Sequence, residues 1–103
     1  MNTVSISLKV FRQKKEEFLQ TVRSLQSDLE KDQGLIKSNL YQDVDDPERF
    51  HLINEWETEQ DYDRYLRSEH FRVLIGALKV LSEETEVRYH MGSPKIEKKV
   101  IDV

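Results

Sequence analysis

Phe50-His51-Leu52-Ile53-Asn54-Glu55-Trp56, then Thr58-Glu59-Gln60-Asp61, then Ser68-Glu69-His70-Phe71: the fold turns on this stretch. The first segment reads as a strand that ends in the chain's single Trp. Thr58 followed by Asp61 resembles a capping box with Asp where Glu or Gln is usual, so a helix is predicted to begin there. Ser68 can cap a second helix, or the two can be one bent helix. That order gathers Trp56, Tyr62, Tyr65 and His70 around one end of a small sheet.

Upstream, Val4, Ile6, Leu8 and Val10 alternate with Ser5, Ser7 and Lys9, the pattern of a strand with one buried face. Phe18, Val22, Leu25 and Leu29 recur at helical spacing, which predicts an amphipathic helix over residues 12–33 with Gly34 as its left-handed stop. A second strand is predicted from Leu35 to Asp43, with Ile36, Ser38 and Leu40 on one face and Leu35, Lys37, Asn39 and Tyr41 on the other. The Asp43–Glu48 segment, with three Asp and Pro47, reads as a turn before an antiparallel third strand, Phe50 to Glu57.

Downstream, Phe71, Leu74, Ile75, Leu78 and Leu81 share one helix face. Thr85, Val87, Tyr89 and Met91 then alternate with Glu86, Arg88 and His90 as a fourth strand, closed by Gly92-Ser93-Pro94. Residues 1–92 are read as one domain and residues 93–103 as an extension. Its apolar Ile96, Val100 and Ile101 predict an extended course along a sheet edge, reaching a partner subunit.

Strand, helix, strand, strand, helix, strand is the order of the ferredoxin-like βαββαβ plan, an α+β fold with an antiparallel sheet. Strands two and three carry apolar residues on both faces, more than a half-solvated sheet requires. Packing the uncovered face against a second copy closes a dimeric α+β barrel, so a homodimer is expected.

Composition narrows the function. The 103 residues carry a net charge of −4 with 35% charged side chains of both signs, unlike the basic field that nucleic acid requires. There is no Cys, which excludes thiolate chemistry and disulfides. No apolar run has the length of a membrane span and the first ten residues lack the order of a secretion signal, so a cytoplasmic location is expected. No His, Asp and Glu cluster has the spacing of a metal site, no Gly-rich phosphate loop is present, and the serines lack a nucleophile elbow.

Gly34-Leu35, Leu40-Tyr41-Gln42-Asp43, Asp45-Asp46-Pro47-Glu48-Arg49-Phe50, Asn54-Glu55-Trp56 and Ser68-Glu69-His70-Phe71 together resemble the antibiotic biosynthesis monooxygenase domain, over roughly residues 3–92. The resemblance implies a homodimer with a pocket between sheet and helices in each subunit. It implies oxidation of quinols or anthrones by molecular oxygen, with neither metal, flavin nor other cofactor, because the substrate's own carbanion donates the electron.

Residue by residue, the anthrone-oxidising branch is matched by Trp56 and Tyr62, while the position of its Asn is Leu52 and Asn54 lies nearby on the Trp56 face. The haem-degrading branch is matched poorly, since Ser7, Tyr65 and Ile75 stand where it has Asn, Trp and His. A branch of quinol oxygenases and isomerases carries a His in the Ser-x-His-Phe segment, which His70 matches. The resemblance thus implies His70 as general base, Tyr62 or Tyr65 orienting a substrate oxygen, Trp56 and Asn54 binding substrate, and Leu8, Leu40 and Leu74 as apolar walls.

Structural uses compete with each of these roles. Trp56 serves equally as a packing residue, His70 as a stabiliser of the turn between helices, and Tyr62 and Tyr65 as an amphipathic wall. His51 and His90 fall on the more exposed strand parity, and Glu55 is expected to form a salt bridge across the dimer. At the level of function, an isomerase of a small carbonyl compound and a non-enzymatic dimeric ligand-binding or stress-responsive barrel stand beside the oxygenase.

Overall fold

A computed structural model describes the backbone of residues 2–91 and 95–101 and the side chains of residues 2–91. The elements are β1 (Asn2–Val10), a 3-10 turn (Arg12–Lys14), α1 (Lys15–Leu29), β2 (Leu35–Gln42), β3 (Arg49–Trp56), α2 (Glu59–Leu66), α3 (Glu69–Leu81), β4 (Ser82–Met91) and β5 (Lys95–Ile101). They build one antiparallel sheet in the order β2-β3-β1-β4-β5, which is the ferredoxin-like arrangement with one strand added.

Strand alternation sets the layers. Val4, Ile6, Leu8 and Val10 of β1 and Phe50, Leu52 and Trp56 of β3 point to one face, where they meet Phe18, Val22 and Leu29 of α1 and Leu74, Leu78 and Leu81 of α3 in the core. Burying such side chains stabilises the fold by about 1.5–3 kcal/mol each. The other face presents Thr3, Ser5, Ser7 and Lys9 of β1, Arg49, His51, Ile53 and Glu55 of β3, and Glu84, Glu86, Arg88 and His90 of β4. It is far more polar than the sequence pattern suggested. The reason lies in β2, where a bulge between Leu35 and Lys37 leaves Ile36 exposed and brings Leu35, Ser38 and Leu40 onto a single face, the helix side.

The predicted helix over residues 12–33 is shorter than its pattern. It opens as a 3-10 turn and its α-helical part ends at Leu29. Gly34 does adopt the left-handed conformation, at φ 83°, but in the connection to β2 and not as the helix cap. A Cβ there would overlap Asp61 Oδ2, so Gly34 is required both by its angle and by its neighbour.

The two helix starts after β3 are separate. Thr58 Oγ1 accepts from the Asp61 N–H at 3.1 Å, and its hydroxyl donates to Asp61 Oδ2 at 2.8 Å. Asp is thus engaged by the cap hydroxyl, where the longer Glu of a capping box reaches the cap's backbone N–H. Ser68 accepts from the Phe71 N–H at 3.1 Å and donates to the Tyr65 carbonyl at 2.6 Å, stapling α2 to α3.

Strand β4 begins three residues earlier than its alternation indicated, because Ser82 and Thr85 are buried polar residues. Ser82 Oγ donates to the Leu78 carbonyl at 2.6 Å and accepts from Thr85 Oγ1 at 2.7 Å. The tail residues Lys95–Ile101 form β5, which pairs antiparallel with β4, His90 opposite Ile96. The Gly92-Ser93-Pro94 break lies outside the described residues. Among the described residues no helix is long and apolar enough to cross a membrane.

Candidate active site

The last turns of sequence before and after the α2–α3 junction converge on the end of β3. Asn54 and Trp56 point inward two residues apart, each under 3% exposed. The Trp56 ring lies 4.7 Å from that of Tyr65, inclined by 30°, and the Tyr65 ring in turn lies 5.5 Å from His70 and 5.4 Å from Phe71. Tyr65 is therefore the hub of the group.

Its hydroxyl stands 3.3 Å from His70 Nδ1. On the far side of the imidazole, Nε2 stands 2.7 Å from the Leu25 carbonyl of α1. A carbonyl can only accept, so Nε2 carries the proton and Nδ1 receives the Tyr65 O–H. Burial raises the Tyr65 pKa above the usual phenol range, the negative charge of Asp32 adds to the rise, and a hydrogen bond from Asn54 opposes it. The phenol remains protonated at neutral pH and is suited to passing a proton on.

Two buried side-chain atoms of this group, Asn54 Oδ1 and Trp56 Nε1, have no hydrogen-bond partner. Leaving a buried donor or acceptor unmet costs roughly 1–3 kcal/mol, and such atoms in native folds call for an explanation. Two more, Thr3 Oγ1 and His90 Nε2, sit on the uncovered face, on residues that the β1–β4 register sets opposite each other.

Of the residues singled out from sequence, the fold brings Asn54, Trp56, Tyr65 and His70 together. Tyr62 is buried one turn earlier on α2, and Leu74 one turn beyond His70 on α3. Leu40 is half-buried opposite Leu52, next to the Asn54 row of the sheet. Leu8 is elsewhere: it pairs with Phe50, six residues along β1 from the Asn2–Trp56 row, a distance of about 20 Å, and does not border the group. Trp56, Tyr62 and Tyr65 are each no more than 2% exposed, while His70 at the edge of the group is partly exposed. Two surface depressions flank it, one of about 330 Å³ lined by Gln20, Thr21, Ser24, Leu25 and Val73, the other of about 530 Å³ lined by Gln60, Asp63, Arg64, Arg67 and Ser68.

Glu55, expected to bridge a dimer, pairs with Lys37 of its own sheet at 3.9 Å. The sequence reading missed Phe71, Tyr89 and the Leu25 carbonyl. Phe71 and Tyr89 make an edge contact at 6.5 Å and wall the group, which their places in the α3 and β4 patterns would have allowed. A main-chain carbonyl leaves no mark in a sequence. Among the described residues no group of His, Asp and Glu is arranged to hold a metal.

Solved structures share this architecture. A conserved protein from Methanosarcina mazei superposes with a TM-score of 0.72 at 24% identity, over 98% of this chain and 90% of its own. A candidate antibiotic biosynthesis monooxygenase from Deinococcus radiodurans gives 0.80 at 15% identity, over 94% and 97%. SnoaB, a cofactor-independent oxygenase from Streptomyces nogalater solved as a point mutant, gives 0.76 at 18% identity, over 91% and 94%. No curated protein matches the chain. At these identities the likeness carries the fold; the sequence itself matches the antibiotic biosynthesis monooxygenase family over residues 1–76, and the chain belongs to that family.

Proposed function

We propose that the chain is a cofactor-independent monooxygenase of a small phenolic aromatic, a quinol or anthrone, working as a homodimer with the substrate held against Asn54, Trp56 and Tyr65. The observation that carries this reading is the pair of unpartnered buried atoms, Asn54 Oδ1 and Trp56 Nε1, beside a Tyr65–His70 hydrogen bond. A ligand hydroxyl donating to Asn54 Oδ1 and a second ligand oxygen accepting from Trp56 Nε1 would satisfy both, as the two hydroxyls of a quinol can.

The chemistry needs a proton removed and a place for it. Tyr65 takes a proton from the acidic carbon or phenol of the substrate as its own moves to His70 Nδ1, leaving a substrate carbanion or phenolate. That anion gives one electron to molecular oxygen; the substrate radical and superoxide combine to form a carbon–oxygen bond. For a methylene substrate, loss of water from the resulting peroxide leaves a carbonyl, so CH₂ and O₂ become C=O and H₂O. The aromatic walls exclude bulk water during these steps.

The uncovered sheet face is where the second copy sits. Its Tyr41 and Ile36 are large exposed apolar residues, and its Thr3 Oγ1 and His90 Nε2 lack partners within the chain. Oxygen uptake by chelator-treated protein with anthrone tests the reading: it should be sustained, and should fall about 100-fold or more in Tyr65→Phe. Uptake only with added iron or flavin would contradict it.

A further inference from the structure

His70 connects solvent to a phenol that solvent does not reach. Its side chain belongs to a partly exposed residue, while Tyr65 is 1% exposed. The two ring nitrogens differ in freedom. Nε2 stands 2.7 Å from the Leu25 carbonyl, which can only accept, so Nε2 carries a proton whether the imidazole is neutral or charged. Only Nδ1 is left to titrate, and its neighbour at 3.3 Å is the Tyr65 hydroxyl. With the ring neutral, Nδ1 is a bare acceptor and the Tyr65 O–H donates to it. With the ring charged, Nδ1 becomes a donor, so the same hydroxyl must accept from it and turn its own proton away. Burial holds the phenol protonated throughout the range in which imidazoles titrate, and the hydroxyl therefore reverses without ionising.

We propose that His70 is a pH-operated positioning residue, whose protonation at Nδ1 reverses the direction of the Tyr65 O–H inside the core. The elements packed here bring other ionisable groups. Asp28 lies in the last turn of α1 beyond the Leu25 carbonyl, and Asp32, in the connection that follows, acts on the Tyr65 phenol. Tyr65 itself comes from α2, Glu69 and Arg72 flank the imidazole along α3, and β3 contributes the neutral Asn54 and Trp56. Side chains of these other types do not exchange protons near neutral pH, so the imidazole alone responds there. The remaining two imidazoles, His51 and His90, lie on the opposite face of the sheet. Under the oxygenase reading the reversal also sets an acid limit to turnover, since a charged ring has no lone pair at Nδ1 to take the Tyr65 proton. That consequence rests on the oxygenase reading; the reversal itself does not.

The test follows the full-length protein by NMR from about pH 5 to about pH 8, with the histidine nitrogens and the oxygen-bearing ring carbon of tyrosine isotopically labelled. The expected result is that His70 Nε2 stays protonated throughout and that only Nδ1 titrates. The Tyr65 Cζ shift should move with the same midpoint while staying in the range of a protonated phenol. Trp56, the only Trp, has its ring 4.7 Å from that of Tyr65, so its fluorescence should change at that midpoint too. In His70→Gln, whose amide can still donate to the Leu25 carbonyl but does not titrate, the Tyr65 and Trp56 transitions should be lost. A His70 proton on Nδ1 at the alkaline end, a Tyr65 shift indifferent to the His70 titration, or transitions that survive in His70→Gln would overturn the inference. The first two are read on the wild type and decide the matter even if the variant does not fold. Oxygen uptake with anthrone, measured separately, judges the oxygenase reading whichever way the shifts behave.

Discussion

Tyr65 and His70 meet across a helix junction: the hydroxyl at the end of α2 lies 3.3 Å from Nδ1 of the imidazole at the start of α3. Ser68 sets that separation, since its side chain bonds the Tyr65 carbonyl on one side and the Phe71 N–H on the other. Ser68→Ala should therefore cost about 1 kcal/mol of stability as a lost cap and lower oxygenase activity by more than the stability loss explains. Thermal melting beside oxygen uptake checks both halves. A destabilised variant with full activity would show that the staple does not position the pair.

Gly34 is the most sensitive backbone position. Its φ of 83° disfavours any side chain, and a Cβ would occupy the place of Asp61 Oδ2. Gly34→Ala should destabilise by about 2 kcal/mol or more, seen as a lowered denaturation midpoint at unchanged slope.

Asp61 should shape the acid limb of stability. The Thr58 hydroxyl first, and then Arg64, hold its carboxyl below the usual value of 3.8, and its burial only partly opposes them. A depressed native pKa contributes stability that is full above the unfolded value and is lost as pH falls through the native one. Melting temperature should thus drop as pH is lowered from about 4, and Asp61→Asn should flatten that drop. An unchanged acid limb in Asp61→Asn would show that other carboxylates set it.

Much of this was legible in the chain, and the failures have physical causes. The βαββαβ order, the two caps at Thr58 and Ser68, and the shared face of Asn54 and Trp56 follow from periodicity and cap chemistry, which are local. The Ile36 bulge was invisible because a one-residue slip reverses the parity that the reading depends on. Leu8 was misplaced because alternation gives its face but not its row; only pairing with Phe50 shows it to be distant from Trp56. The partner of His70 was beyond sequence altogether, being a carbonyl 45 residues away.

The uncovered sheet face should hold the second subunit. Ile53 stands on it between Ser5 of β1 and Asn39 of β2. Ile53→Arg places a like charge opposite itself across a two-fold contact, and should convert a dimer into a monomer in light scattering while leaving circular dichroism unchanged. A monomeric wild type at micromolar concentration would contradict this assembly.

The central claim is that oxygen is inserted by the substrate's own anion at Asn54, Trp56 and Tyr65. Its most direct test is the reaction of chelator-treated protein with anthrone under isotopically labelled molecular oxygen, followed by mass spectrometry of the product. One labelled oxygen atom in the new carbonyl, formed by the wild type and about 100-fold more slowly by Tyr65→Phe, is the predicted result. Product carrying oxygen from water only, or formed equally fast by the variant, would contradict it.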